Sequence, residues 1–137
     1  MIRSFLVCDS QGYPFYSRLV DKKFRDVDPA MLSGLISAIG SVGRQLFNEE
    51  IATITYGIGV RTSSIVIVAK EILSLDKSIY FVFLVQGECD QKFMKRLATS
   101  IFIETKNTLK SPHLVKGDVQ DKIDRLVDFK FDGLMNH

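Results

Sequence analysis

Cys8, Cys89, His113 and His137 are the side chains of this sequence best suited to ligate a metal or act as a nucleophile or base. Metal sites of that kind are built from closely spaced pairs of Cys or His, and these four are scattered along the chain. Cys8 falls inside the apolar run Phe5-Leu6-Val7-Cys8 and reads as a core residue. Cys89 stands just before a helix start, where the helix dipole can lower a thiol pKa; a passive thiol is the simpler reading. His113 lies in a loop with no base or orienting group assigned to it. The adjacent acids Glu49-Glu50 and the pair Glu88/Asp90 read as surface carboxylates rather than as a glycosidase-type pair. Gly57-x-Gly59 is shorter than a dinucleotide fingerprint and is followed by a strand, and no GxxxxGK[ST] phosphate loop occurs. The chemistry-bearing residues therefore form no nucleophile–base constellation. The sequence predicts no catalytic residue, no cofactor and no metal, hence no enzyme.

The bulk properties are those of an ordinary globular protein. A length of 137 residues suits one compact domain, expected to span residues 1–137 with its core over about 1–130. Apolar residues make up 46% and charged residues 25%, and the net charge is +2. Basic residues alternate with acids, as in Asp21-Lys22-Lys23-Phe24-Arg25-Asp26, so nucleic acid is not an expected partner. No apolar run is long enough for a transmembrane helix, no signal peptide is expected, and the end Leu134-Met135-Asn136-His137 lacks a prenylation cysteine. Two cysteines do not make a secreted disulfide framework. A cytoplasmic location follows as the expectation, with any membrane association peripheral and through partners.

Hydrophobic periodicity sets out the elements. Ile2–Cys8 and Tyr13–Val20 read as a hairpin around the turn Asp9-Ser10-Gln11-Gly12. Asp28-Pro29 starts a helix that runs to about Phe47, with Leu32, Leu35, Ile36, Ile39, Val42, Leu46 and Phe47 as its expected buried stripe. Strands follow at Ile51–Tyr56, Ser63–Glu71 and Ser78–Gln86. The last is apolar without alternation, as expected when both faces are covered. A helix capped by Asp90 runs to about Leu109. A final helix, capped by Asp118, carries Val119, Ile123, Leu126 and Val127, with the tail after Phe131 expected to fray. These elements predict an α+β domain: a five-stranded antiparallel sheet of order 2-1-5-4-3, one long helix on one face and two helices on the other.

This pattern resembles the longin domain and the closely similar roadblock fold. The hairpin Phe5-Leu6-Val7-Cys8-Asp9-Ser10-Gln11-Gly12-Tyr13-Pro14-Phe15-Tyr16-Ser17-Arg18 resembles that family's first hairpin, and the element order matches over roughly residues 1–130. The run Tyr80–Val85 followed by the helix Phe93–Leu109 also fits. Roadblock proteins usually place a helix before the first strand, and this chain begins in the strand, so longin is the preferred member of the pair. The resemblance implies a protein-interaction platform in membrane traffic or small-GTPase regulation, commonly a dimer or a subunit, working through surfaces. Its expected partners are a second copy, another longin or roadblock chain, and a small Ras-like GTPase.

Three segments are candidate contact surfaces. No charge occurs between Pro29 and Gly43, and Gly34, Ser37, Ala38, Ser41 and Gln45 lie opposite the apolar stripe. Glycines there cost helix stability, about 1 kcal/mol each relative to alanine. A partner helix packed on this face is one reading; a cover loop from the same chain is the other. The strand containing Ile51, Thr53 and Thr55 lacks the charges that guard an edge and invites pairing with a symmetry mate, although Glu49 and Glu50 can act as gatekeepers. The loop carrying Ile58, Val60 and Arg61 offers apolar side chains beside a cation for a GTPase, or is simply a hairpin loop. Two alternative functions stand beside the platform reading: a small-molecule sensor of the profilin or PAS kind, which needs a cavity, and a small subunit of an adaptor or tethering complex.

Overall fold

A computed structural model describes residues 2–23, 25–57, 62–72, 77–88, 90–109 and 116–135. Strand β1 (Ile2–Asp9) pairs antiparallel with β2 (Pro14–Leu19) and, on its other side, with β5 (Lys77–Gln86). Strand β4 (Ser63–Ile72) joins β5 to β3 (Thr53–Tyr56), giving the antiparallel order β2-β1-β5-β4-β3. Helix α1 (Pro29–Phe47) lies on one face, and α2 (Gln91–Leu109) and α3 (Lys116–Met135) lie on the other. The α+β architecture and strand order expected from the sequence are those of the structure.

The layering explains the unbroken apolar run of β5. Tyr80 and Val82 point to the α1 side, where they pack with Leu6, Cys8, Leu32, Ile36, Ile65 and Ile67. Ile79, Phe81, Phe83 and Val85 point to the other side and meet Phe5, Met94, Leu97, Ile101, Ile123 and Val127. The period of two is intact; both faces of the strand are core.

Local chemistry sets the element ends. Asp28 caps α1, its carboxylate accepting from the Ala30 amide at 3.0 Å, with Pro29 at the first helical position. Asn48 ends the helix in the left-handed region at φ 53, donating its amide to the Arg44 carbonyl at 3.1 Å. Asp90 accepts from the Lys92 and Phe93 amides and caps α2. Asp9 turns the first hairpin. It accepts from the Gln11 and Tyr13 amides and pairs with Lys77 at 3.2 Å, in a site where both side chains are largely shielded.

Two expectations about helices are corrected. Helix α3 begins at Lys116, so Asp118 lies within it rather than capping it, and it continues to Met135 rather than fraying after Phe131. The sheet-facing side of α1 is Leu32, Ser33, Ile36 and Gly40, whereas Leu35, Ile39, Val42, Leu46 and Phe47 are exposed. The reason is close approach. Ser33 and Gly40 let the helix backbone sit low on the sheet, and a Cβ at Gly40 would come within 3.1 Å of the Tyr80 hydroxyl. Small residues thus take the contact, and the larger side chains are turned outward.

Candidate interaction surface

Helix α1 presents an apolar strip to solvent. Met31, Leu35, Ile39, Val42 and Leu46 recur at spacings of three and four, so they share one flank. Leu46 and Phe47 are each 71% exposed, and Leu35, a large side chain on the helix shoulder, 45%. A soluble helix normally puts charges there.

The strip has a definite direction. Ser37 donates its hydroxyl to the Ser10 carbonyl at 2.8 Å, and Gly12, at φ 89, leaves its missing Cβ 3.4 Å from Ser37 and 3.5 Å from the Gly34 backbone. That flank of α1 therefore faces the β1–β2 turn. Leu35, Ile39, Val42 and Leu46 lie about half a turn away by helical spacing, on the opposite flank of the helix. Tyr56, 57% exposed at the end of β3, and the half-buried Ile54 stand on the same face of the sheet as α1.

A polar clamp fixes their relation. The Tyr80 hydroxyl on β5 donates to Glu50 at 2.9 Å and accepts from Arg44, and Arg44 also meets Glu50 at 3.4 Å. Burial, then the bond to Glu50, pushes the Tyr80 hydroxyl up to about 12. It stays protonated as the donor, joining the C-terminal turn of α1 to the segment that leads into β3. Of the two acids before β3, Glu50 is thereby engaged in the clamp, and Glu49 is exposed.

The residues singled out in the sequence are distributed over this region. Gly34, Ala38 and Gln45 are exposed on top of α1, and Ser37 and Ser41 are half-buried towards the hairpin. Ser41 accepts from the Gln45 amide at 3.3 Å. Ile51 is half-buried in the α1-side cluster. Thr53 and Thr55 are exposed on the opposite face of β3, beside an open cleft of about 450 Å³ also lined by Ser64, Val66, Gln91 and Met94. Ile58, Val60 and Arg61 lie outside the described residues, as do Cys89, His113 and His137. Sequence reasoning missed the strip Met31–Leu35–Ile39–Val42–Leu46 as surface, because a helix apolar nearly all round offers two candidate inner faces. The signal that separates them is Ser33 and Gly40, small residues on the same side as Leu32 and Ile36.

Between α1 and the sheet, the space lined by Phe5, Leu6, Val27, Leu32 and Leu84 amounts to about 10 Å³, room for one water and no ligand. Among the described residues no group of three or more His, Cys, Asp or Glu is placed to hold a metal, and no helix is long and apolar enough to cross a membrane.

No protein-family model and no curated protein sequence matches this chain. Solved structures similar to it include a roadblock/LC7 domain from Streptomyces avermitilis, at 10% identity over 80% of this chain and 87% of that one, with a TM-score of 0.48. Myxococcus xanthus MglB is similar at 11% identity over 80% of this chain and 85% of that one, TM-score 0.49. The gliding protein MglB of Thermus thermophilus is similar at 11% identity over 61% of each chain, TM-score 0.40.

Proposed function

We propose that the chain, over residues 1–137, is a non-catalytic longin-type interaction platform that pairs through α1 and β3 and, as a dimer or as a subunit of a larger assembly, engages a small Ras-like GTPase. Two observations support the pairing: the exposed apolar strip of α1 and the uncharged edge strand β3. An unpaired edge offers backbone donors and acceptors to a second strand, and the strip supplies apolar area. A two-fold arrangement with β3 antiparallel to its mate satisfies both at once. Gly34, Ser37, Ala38, Ser41 and Gln45 border the strip, and Ile51, Thr53 and Thr55 belong to the edge. The loop of Ile58, Val60 and Arg61 is assigned to the GTPase contact.

The GTPase partner and a setting in membrane traffic rest on the resemblance to longin domains. An adaptor or tethering subunit would use the same surface with a different chain. The sensor reading needs an enclosed cavity; the space under α1 is filled, and the cleft beside Thr53 and Thr55 is open to solvent.

Light scattering after gel filtration tests the pairing. The expected mass is twice 15.5 kDa. Ile39→Glu or Leu46→Glu, each at an exposed position, is expected to give a folded monomer, and Thr53→Lys to weaken the pair. A wild-type mass of 15.5 kDa across the concentration range would overturn self-pairing and direct the search to a different chain. Nucleotide exchange and hydrolysis by candidate Ras-like GTPases, with and without the protein, tests the second half.

A further inference from the structure

The outer surface of the α2/α3 layer has a charge character of its own. Lys92, Lys95, Arg96 and Lys106 are all exposed on α2, against one exposed acid, Glu104. None of the four cations forms an ion pair among the described residues. Three of them fall in the first six residues of the helix, whose first turn holds no acid. Cations there oppose the helix dipole, which favours negative charge at an N-terminus, so local helix stability does not account for them.

Helix α3 continues the pattern. Lys122 and Arg125 are exposed and point away from the buried Ile123 and Val127, with Asp121 the exposed acid nearby. Asp124 and Asp128 are turned to the β2 side, where Arg18 meets them at 3.2 and 2.5 Å. Among the described side chains of the two helices, the outward surface thus holds six cations to two acids, with Asp90 a third acid at the cap of α2, in a chain whose net charge is only +2.

Two large apolar side chains stand among these cations. Ile103 is 63% exposed and Phe129 74%. Each lies two residues beyond a fully buried residue, Ile101 and Val127, hence about 200° round its helix and facing outward. Lys130 places its ammonium 5.9 Å from the Phe129 ring centre. On α2 the order Lys92, Arg96, Thr99, Ile103, Lys106 runs as one line along the helix.

We infer that this surface docks directly on an anionic lipid bilayer. Cations in the headgroup region attract acidic lipids, and Ile103 and Phe129 reach the boundary of the acyl chains. An acidic protein would satisfy the cations alone. The exposed apolar pair favours a lipid surface. Each cation near such a surface strengthens partition about fivefold, and the attraction fades as salt shortens the Debye length. The site is on the opposite face of the sheet from α1, so each copy carries it whether or not the pairing proposed above occurs.

Co-sedimentation with phosphatidylcholine vesicles, with and without phosphatidylserine, tests this at low and raised salt. The expected result is binding to the anionic vesicles only, weakened by salt. Lys95→Gln with Arg96→Gln is expected to weaken partition about 25-fold while leaving circular dichroism unchanged, and Ile103→Ser to weaken it further. Equal binding to neutral vesicles, no binding to either, or no effect of the double substitution would overturn the proposal. So would a soluble polyglutamate peptide that binds as tightly as anionic vesicles with no effect of Ile103→Ser, which would assign the surface to an acidic protein.

Discussion

Burial pushes the Cys8 thiol from 9.0 up to about 12, with desolvation the chief cause, so at neutral pH it is a packed thiol and no nucleophile. A maleimide or disulfide reagent is expected to modify Cys8 about a thousandfold more slowly in the native protein than in urea, as the thiolate fraction implies. Peptide mass spectrometry of the labelled protein reads this directly, and comparable rates would contradict the burial. Tyr80 gives a pH dependence with a definite sign. Its folded pKa, about 12, lies above the ordinary 10.0. The stability it contributes is whole below about pH 10 and is lost as pH rises towards 12. Thermal melts across that interval are expected to fall more steeply for wild type than for Tyr80→Phe. Asp9 carries a different burden: with its side chain 4% exposed and Lys77 at 13%, Asp9→Asn leaves a shielded ammonium without its partner. The expected loss is about 3 kcal/mol or more, measured by urea unfolding.

At the scale of elements, α3 is held by both apolar and polar contacts. Ile123 and Val127 are its fully buried side chains among those described. Leu126 packs beside them, and polar contacts add to the attachment, with the Tyr16 hydroxyl donating to Asp124 at 2.6 Å and Arg18 bridging Asp124 and Asp128. Half-exposed ion pairs contribute roughly 0–1 kcal/mol, so Ile123→Ala is expected to cost more, about 2–5 kcal/mol. Amide exchange in α3 should accelerate before that in α2. The strands and their order were legible because turn residues and apolar runs mark them independently of partners. The unbroken apolar run of Ile79–Val85 fixed β5 as central. The orientation of α1 was not legible from periodicity, which counts apolar residues and misses the gain from close backbone contact at Ser33 and Gly40. The start of α3 was misplaced for a related reason: Asp118 has the right chemistry for a cap, and nothing local shows that the helix already begins at Lys116.

At the scale of the whole molecule, the two faces of the sheet are unlike. One bears an apolar helix strip and the other a cationic helix layer. Strands pairing antiparallel at β3 are related by an axis perpendicular to the sheet, so a dimer formed there keeps both cationic layers on one side. The vesicle partition of Ile39→Glu is therefore expected to be weaker than that of wild type although its cationic residues are untouched, a comparison readable in the same co-sedimentation experiment. The two borders of the sheet are unlike as well. The β2 border holds Pro14, which offers no backbone donor, and Arg18, engaged with α3; the β3 border holds Thr53, Ile54, Thr55 and Tyr56, with no charge among them. In the language of polymer chemistry, a subunit receptive at both borders is bifunctional, and each addition would leave a fresh end for the next. With β2 guarded in this way, the subunit would be monofunctional. In the proposed dimer, joining two β3 borders would consume both reactive ends, and growth would terminate at a degree of polymerisation of two however concentrated the protein became.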